Sequence, residues 1–344
     1  MSATELLTDC WYVAAAAGAL ARGAKLPVTL LGHPVLLLRD TAGAVSALRD
    51  FCPHRGMPLR YGTFDGGEVE CCYHGWKFDM AGICTSIPSL VEDKTDIRKI
   101  KTGRFVAQEQ DGLIWVYIPG KQAEPLAPPP AMPAPITGGF RVVDSVPLPC
   151  AIDHAVIGLM DPAHGPFVHR SWWWRTKRSM HEKQKQFAPT PRGFKMVRHT
   201  PSKNSFAYKI LGGAPSTEIS FQLPGLRTEH ITIGRHHVVL LTALTPVDAG
   251  NTILHQFMYT TLPLLNLLRP LLMRFGRAFI AQDVRVVKMQ QEGLRPGHPP
   301  LLLMGDADAQ ALWYHRLKKE ALAAQNEDRA FENPLRPKLL KWKS

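Results

Sequence analysis

At 344 residues, 45% of them hydrophobic, the chain can bury two cores of ordinary size, which excludes a disordered or fibrous protein. A formal net charge of +12 fits either an acidic partner (nucleic acid, an anionic membrane surface or an acidic protein) or a surface with surplus Lys and Arg. Six cysteines dispersed over this length do not make a disulfide scaffold and read as thiols available to a metal.

The opening residues, MSATELLTDCWYVAAAAGAL, carry Glu5 and Asp9 and lack a basic start before an apolar run, so no secretory signal is read there. From Pro27 to Phe51 the short apolar runs PVTLL, PVLLLRD and AVSALRD, broken at Gly32-His33 and Ala42-Gly43, predict consecutive strands. RFVAQEQDGLIWVYIPG predicts a hairpin turning at Asp111-Gly112. KQAEPLAPPPAMPAP has six prolines between Lys121 and Pro135 and marks a boundary: one domain over 1–120, a linker over 121–140 and a second domain over 141–344. Helical signals then run from Asp153 to Phe167, and STEISFQL, HITIGRHHVVLLTALTPV and TILHQFMYTTL alternate as strands. A long helix is expected from about Leu264 to Gln291, then polar helical sequence to about Gln325. The class is therefore α+β: an N-terminal all-β domain, then an antiparallel sheet backed by helices. Pro263, Arg269, Pro270, Arg274 and Arg277 interrupt the most apolar region, making it a poor membrane span, and a cytoplasmic protein is expected.

Between the predicted strands and the hairpin lies CPHRGMPLRYGTFDGGEVECCYHGWKF, from Cys52 to Phe78. Cys52-x-His54 and Cys71-x-x-His74 bring two thiols and two imidazoles together from two loops. Zinc accepts two Cys and two His in a tetrahedral site. A Rieske [2Fe–2S] centre uses the same four, with thiolates on one iron and imidazoles on the other. Each loop here supplies one Cys and one His, the arrangement a binuclear cluster needs if both loops are to reach both irons.

CPHRG…CCYHGWKF resembles the Rieske domain of the Rieske non-haem iron oxygenases. Cys72-Tyr73-His74 is itself a Cys-x-His, but the family's spacing selects Cys71 as the ligand. Electron-transfer-complex Rieske proteins have a further cysteine in each loop where this chain has Arg55 and Tyr73, so the resemblance is to low-potential centres without a disulfide. It also implies a second metal. Asp161, His164 and His169 in GLMDPAHGPFVHR match the family's mononuclear iron motif, in which two imidazoles and one carboxylate leave positions open on Fe(II). The family's third ligand is an acid in an (E/Q)-D stretch, here Asp283 after Gln282, with Glu292 as the alternative. Asp161 is implied to link His74 of one subunit to His164 of the next and to carry electrons between them, which requires an oligomer, a homotrimer by the family's habit. Gly158 stands where the family commonly has Asn, and Lys288 where relatives often have Glu.

The implied activity is that of an oxygenase using O2 and electrons from a ferredoxin or ferredoxin-domain reductase. It would hydroxylate or oxidatively demethylate a small hydrophobic or aromatic substrate, in the monooxygenase and demethylase branch. A cis-dihydroxylating dioxygenase large subunit and a membrane-associated oxygenase of a lipid or pigment are the alternatives; a free electron carrier would need no chain beyond about residue 120. Trp172, Trp173 and Trp174 could line a pocket or pack between domains. His236 and His237 face opposite sides of a strand, and Asp153-His154 reads as structural. The basic residues Arg170, Arg175, Lys177, Arg178, Lys183 and Lys185 and the tail RPKLLKWKS read as a solvated face, with no nucleic-acid fold signature beside them.

Overall fold

The computed structural model describes residues 5–91, 96–134, 140, 142–169, 180–200, 215–262, 265, 267–294 and 299–344. Two units divide the chain, Thr8–Ala131 and Met132–Ser344, the second joined by residues 5–7, and the division falls inside the proline-rich stretch.

The first unit is built of β1 (Cys10–Ala16), β2 (Ala24–Leu30), β3 (His33–Arg39), β4 (Val45–Arg49), β5 (Thr63–Phe64), β6 (Glu68–Glu70), β7 (Lys77–Asp79), β8 (Cys84–Ser86), β9 (Arg104–Phe105), β10 (Ala107–Gln110) and β11 (Leu113–Ile118). They pair in three antiparallel sheets, β1-β11-β10, β2-β3-β4-β9 and β5-β6-β7-β8. The apolar runs before Phe51 become β2 to β4, as their alternation with turns predicts. Asp111 and Gly112 turn the β10–β11 hairpin at φ 55° and 76°, the two left-handed residues a type I′ turn requires. β1 was not anticipated; its CWYVAAA pairs along β11 and makes that strand central, with all six of its residues buried. At about 1.5–3 kcal/mol per large apolar side chain, β11 is a principal source of this unit's stability.

In the second unit come β12 (Val142–Leu148), α1 (Ile152–Met160), α2 (Gly165–Val168), β13 (Glu182–Thr190), β14 (Gly193–His199), β15 (Ser216–Gln222), β16 (Leu226–Ile233), β17 (His236–Pro246), β18 (Thr252–Thr260), α3 (Arg269–Gly293), α4 (Ala309–Asn326) and β19 (Lys338–Lys343). The strands form one antiparallel sheet in the order β12-β18-β17-β16-β15-β14-β13-β19. One face is backed by helices: Val142, Ile231, Ile233, Val238 and Met258 pack with Leu272 and Met273 of α3. Farther along, Phe187, Phe194 and Phe221 meet Trp313 and Tyr314 of α4 edge-on. Asp153 ties α1 to α4 by accepting from Tyr314 Oη and Lys318 Nζ, both at 2.6 Å.

Two sequence expectations are corrected. The helix expected from Asp153 to Phe167 is broken: α1 stops at Met160 because Pro162 disfavours helical backbone at Asp161, which sits extended at φ −67° and ψ 118°. The tail RPKLLKWKS holds an edge strand, β19, paired with β13; Leu340 and Trp342 are buried at 0% and 7% exposure, while Lys338, Lys341 and Lys343 are exposed. Among the described residues no helix is long and apolar enough to cross a membrane. Trp172 to Trp174, Arg170, Arg175, Lys177 and Arg178 lie outside the described residues.

Candidate metal centres

Cys52 and His54 lie on the loop between β4 and β5, and Cys71 and His74 on the loop between β6 and β7. Both loops repeat one hydrogen-bond pattern. The Cys52 N–H donates to Met57 O (2.8 Å) and the Gly56 N–H to Cys52 O (2.9 Å); the Cys71 N–H donates to Trp76 O (2.8 Å) and the Gly75 N–H to Cys71 O (3.0 Å). Gly56 and Gly75 close the loops at φ 71° and 70°, where a side chain would be strained. The two thiols are thereby buried at 1% and 2% exposure in a core with Leu36, Leu38, Leu48, Leu59, Val69 and Phe78. The rings of His54 and His74 approach to 4.5 Å between centroids, and His54 lies flat on Trp76 at 4.5 Å and 4°. Cys72 is exposed, so Cys71 is the thiol delivered to this core.

This donor set fits a metal group. His54 Nδ1 is buried and has no hydrogen-bond partner among the described residues. A buried polar atom left in that state costs about 1–3 kcal/mol, a cost a bound metal removes. Burial first, and then the Cys71 thiol beside it, push the Cys52 thiol up to about 11 against the pull of the His54 backbone N–H. The bare loop thus disfavours the Cys52 thiolate, and a coordinated cation is what stabilises it. None of the six cysteines forms a disulfide.

The second centre grows from the break after α1. Asp161 caps the helix, and its Oδ1 accepts the Ala163 N–H at 2.6 Å. The chain then makes the single turn α2, where the N–H groups of Phe167 and Val168 donate to His164 O and that of His169 to Gly165 O, at 2.9, 2.9 and 3.0 Å. A four-residue turn flanked by His164 and His169 aims both imidazoles to one side. Their Nε2 atoms lie 3.2 Å apart, and Asp283 Oδ1, from α3, lies 3.2 Å from His169 Nε2 and 3.8 Å from His164 Nε2. Two ligands about 2.1 Å from one ion stand about 3.0 Å apart at a right angle and about 3.8 Å apart at an angle of roughly 130°. The separations therefore match a shared ion, and the ligand atoms of these three side chains all lie within 4.8 Å of one another. Glu292 lies exposed near the far end of α3 and is not part of that group.

The surroundings orient these three side chains. His169 is 5% exposed, whereas the side chains of His164 and Asp283 are 27% and 35% exposed, so the site is closed on one side and open on the other. Burial pulls the His164 pKa down, but Asp161 and Asp283 outweigh it and hold it above the ordinary histidine value. Its Nδ1 lies 3.6 Å from Asp161 Oδ2. His169 Nδ1 meets Gln282 Oε1 at 3.1 Å, and Phe279 stacks on the same ring at 3.7 Å and 16°. Sequence reasoning named Gln282 only as a neighbour of Asp283 and did not name Phe279; the signal was its spacing, one helical turn before Asp283.

The remaining tempting residues go elsewhere. Val238 faces α3, so His237 points to the other side of the sheet, where its Nδ1 meets His230 Nε2 at 3.0 Å; His230 Nδ1 in turn meets Arg198 Nη2 at 3.2 Å. His236 Nδ1 faces Thr261 Oγ1 at 3.5 Å.

Two family models match the chain, one over each unit. Residues 10–103 match the Rieske [2Fe-2S] domain and residues 156–324 the vanillate O-demethylase oxygenase C-terminal domain. Chlorophyllide a oxygenase of Chlamydomonas reinhardtii is 33% identical over 177 residues, 50% of this chain and 26% of that protein. The oxygenase component of dicamba O-demethylase of Stenotrophomonas maltophilia is 36% identical over 172 residues, 47% of this chain and 48% of that one. The chain thus spans between a quarter and a half of the length of the curated relatives it matches. The fold is shared over nearly its whole length with crystalline dicamba monooxygenase bound to dicamba: TM-score 0.72, 23% identity, 93% of this chain and 98% of that one.

Proposed function

The chain belongs to the Rieske non-haem iron oxygenases, and from that premise we propose that it uses O2 and electrons from a separate protein to hydroxylate or oxidatively demethylate a small hydrophobic or aromatic molecule. The observation that carries this reading is the convergence of His164, His169 and Asp283, within 4.8 Å of one another, in a chain that also gathers two thiols and two imidazoles on paired loops. In this reading Cys52, His54, Cys71 and His74 hold the [2Fe–2S] cluster, and His164, His169 and Asp283 hold Fe(II). When bound, the iron supplies open coordination positions and the redox chemistry of O2.

The side chains do the rest. His169, deeply buried, closes one flank of the site against water, and the half-exposed flank at His164 and Asp283 leaves room for a substrate. Asp161 Oδ2 stands 3.6 Å from His164 Nδ1, beyond hydrogen-bond length, and its charge favours a proton on that nitrogen, which leaves the Nε2 lone pair toward His169 and Asp283. The same carboxylate, reaching His74 of a neighbouring subunit, would provide a short electron path between the centres, which makes the working form an oligomer, read as a homotrimer. The charge of +12 favours an acidic ferredoxin, or a reductase with a ferredoxin domain, as the donor. We place the protein in the cytoplasm, with a Rieske domain over 1–120, a linker over 121–140 and a catalytic domain over 141–344. Demethylation is supported by the names of two relatives, dicamba O-demethylase and the 5,5'-dehydrodivanillate O-demethylase oxygenase subunit of Sphingobium. A second reading, oxidation of a larger apolar pigment or sterol, is favoured by the similarity to chlorophyllide a oxygenase and to a 4beta-methylsterol monooxygenase of Methylococcus capsulatus.

The test is Asp161→Asn, assayed for substrate-dependent O2 uptake with a reduced ferredoxin. The amide keeps the size of the carboxylate but loses its charge and one acceptor. Both metals should still bind and the cluster should still be reduced, while coupled turnover falls by orders of magnitude. Turnover near wild type with both irons loaded would remove Asp161 as the bridge and the inter-subunit path with it.

A further inference from the structure

α3 contributes more to the second centre than the Asp283 carboxylate. Within one helical turn it presents Phe279, Gln282 and Asp283, and all three meet His169: Phe279 covers the ring face at 3.7 Å, Gln282 Oε1 faces Nδ1 at 3.1 Å, and Asp283 Oδ1 faces Nε2 at 3.2 Å. The ring is 5% exposed, so its orientation is fixed by these neighbours and water has little part in it. An imidazole that offers Nε2 to a metal must carry its proton on Nδ1, and an amide oxygen can only accept there. The two histidines also differ in the charge behind them. His164 Nδ1 faces the carboxylate of Asp161 at 3.6 Å, whereas His169 Nδ1 faces a neutral amide.

We propose that Gln282 is the positioning residue of His169: its amide oxygen selects the tautomer whose Nε2 can bind iron, and its neutrality keeps His169 a weaker donor than a carboxylate-backed imidazole would be. This rests on the reading of His164, His169 and Asp283 as the iron site. Sequence alone makes Gln282 the neighbour of a ligand; the structure makes it the partner of a different ligand, 113 residues away.

The experiment titrates Fe(II) anaerobically into cluster-loaded protein stripped of mononuclear iron, for wild type, Gln282→Leu and Gln282→Glu. The visible spectrum of the cluster reports that the first unit is folded, and a melting temperature near wild type reports the same of the unit that holds Gln282. Gln282→Leu removes the acceptor and should weaken Fe(II) binding roughly 10–100-fold. Gln282→Glu restores an acceptor of the same length and should bind within a few-fold of wild type, but with the reduction potential of the mononuclear iron lowered, because added negative charge behind His169 favours the ferric state. Wild-type affinity in Gln282→Leu would overturn the proposal, as would an equal loss in both variants, which would mean that the side chain only packs. If Gln282→Leu loses the cluster spectrum, the glutamate variant decides alone: an unchanged potential overturns the proposal. A wild-type chain that takes up no Fe(II) would instead defeat the iron-site reading itself, and the role of Gln282 would fall with it.

Discussion

His255, on β18, is 4% exposed, and its Nδ1 meets Ser145 Oγ of the neighbouring strand at 2.8 Å. Burial lowers its pKa from 6.5 to about 4, so it stays neutral in the folded protein where an unfolded chain would take up a proton. The stability this neutral form contributes is full above pH 6.5 and is lost as pH falls toward 4. Between pH 7.5 and 5 the loss is about 2 kcal/mol. His255→Gln does not titrate, so the gap in melting temperature between wild type and variant should narrow on acidification; a gap independent of pH would contradict the account. The same residue scale separates what the sequence discloses from what it hides. Cys52, His54, Cys71, His74, His164 and His169 could be named as candidates because each set lies at short spacing in one loop or turn. Asp283 could be named only through the family's pattern, since over a hundred residues separate it from the histidines. Phe279 has only its place one helical turn before Asp283 to point to it, and the bond of Gln282 to His169 has no signal of that kind, because it arises from packing between elements distant in the chain.

At the level of elements, short apolar runs bracketed by turn residues served, and the edges were missed. The meander β2 to β4 and the β10–β11 hairpin follow directly from such runs and their turns. β1 is nearly all buried, so its CWYVAAA lacks alternation, and only its pairing with β11 makes it a strand. β19 was hidden by its lysines: in KLLKWK the solvent-facing charges read as a basic tail, while Leu340 and Trp342 turn inward on alternate positions. The pairing implies a contrast between adjacent leucines. Leu340→Ala empties a fully buried site and should cost about 2–5 kcal/mol, lowering the melting temperature on the order of 10 °C. Leu339→Ala, at 41% exposure, should change stability by less than about 0.5 kcal/mol. Equal effects in the two variants would mean that β19 does not pack as an edge strand. The break after α1 was half legible: Pro162 announces it, and the consequence, two histidines swung to one side of a single turn, appears only in three dimensions.

The whole molecule joins two kinds of metal chemistry in one chain, each site assembled by a different device. Paired loops closed by left-handed glycines bury two thiols in the first unit; a broken helix and a long helix converge on a triad in the second. The account stands on both sites being filled as their donors suggest, so metal content after anaerobic purification tests it most directly. It predicts about three irons and two acid-labile sulfides per chain, with a Rieske-type paramagnetic signal on reduction. His164→Ala or His169→Ala should lower the count to about two irons and leave the red-brown spectrum of the cluster unchanged. One zinc per chain with no sulfide, in a colourless protein, would contradict it.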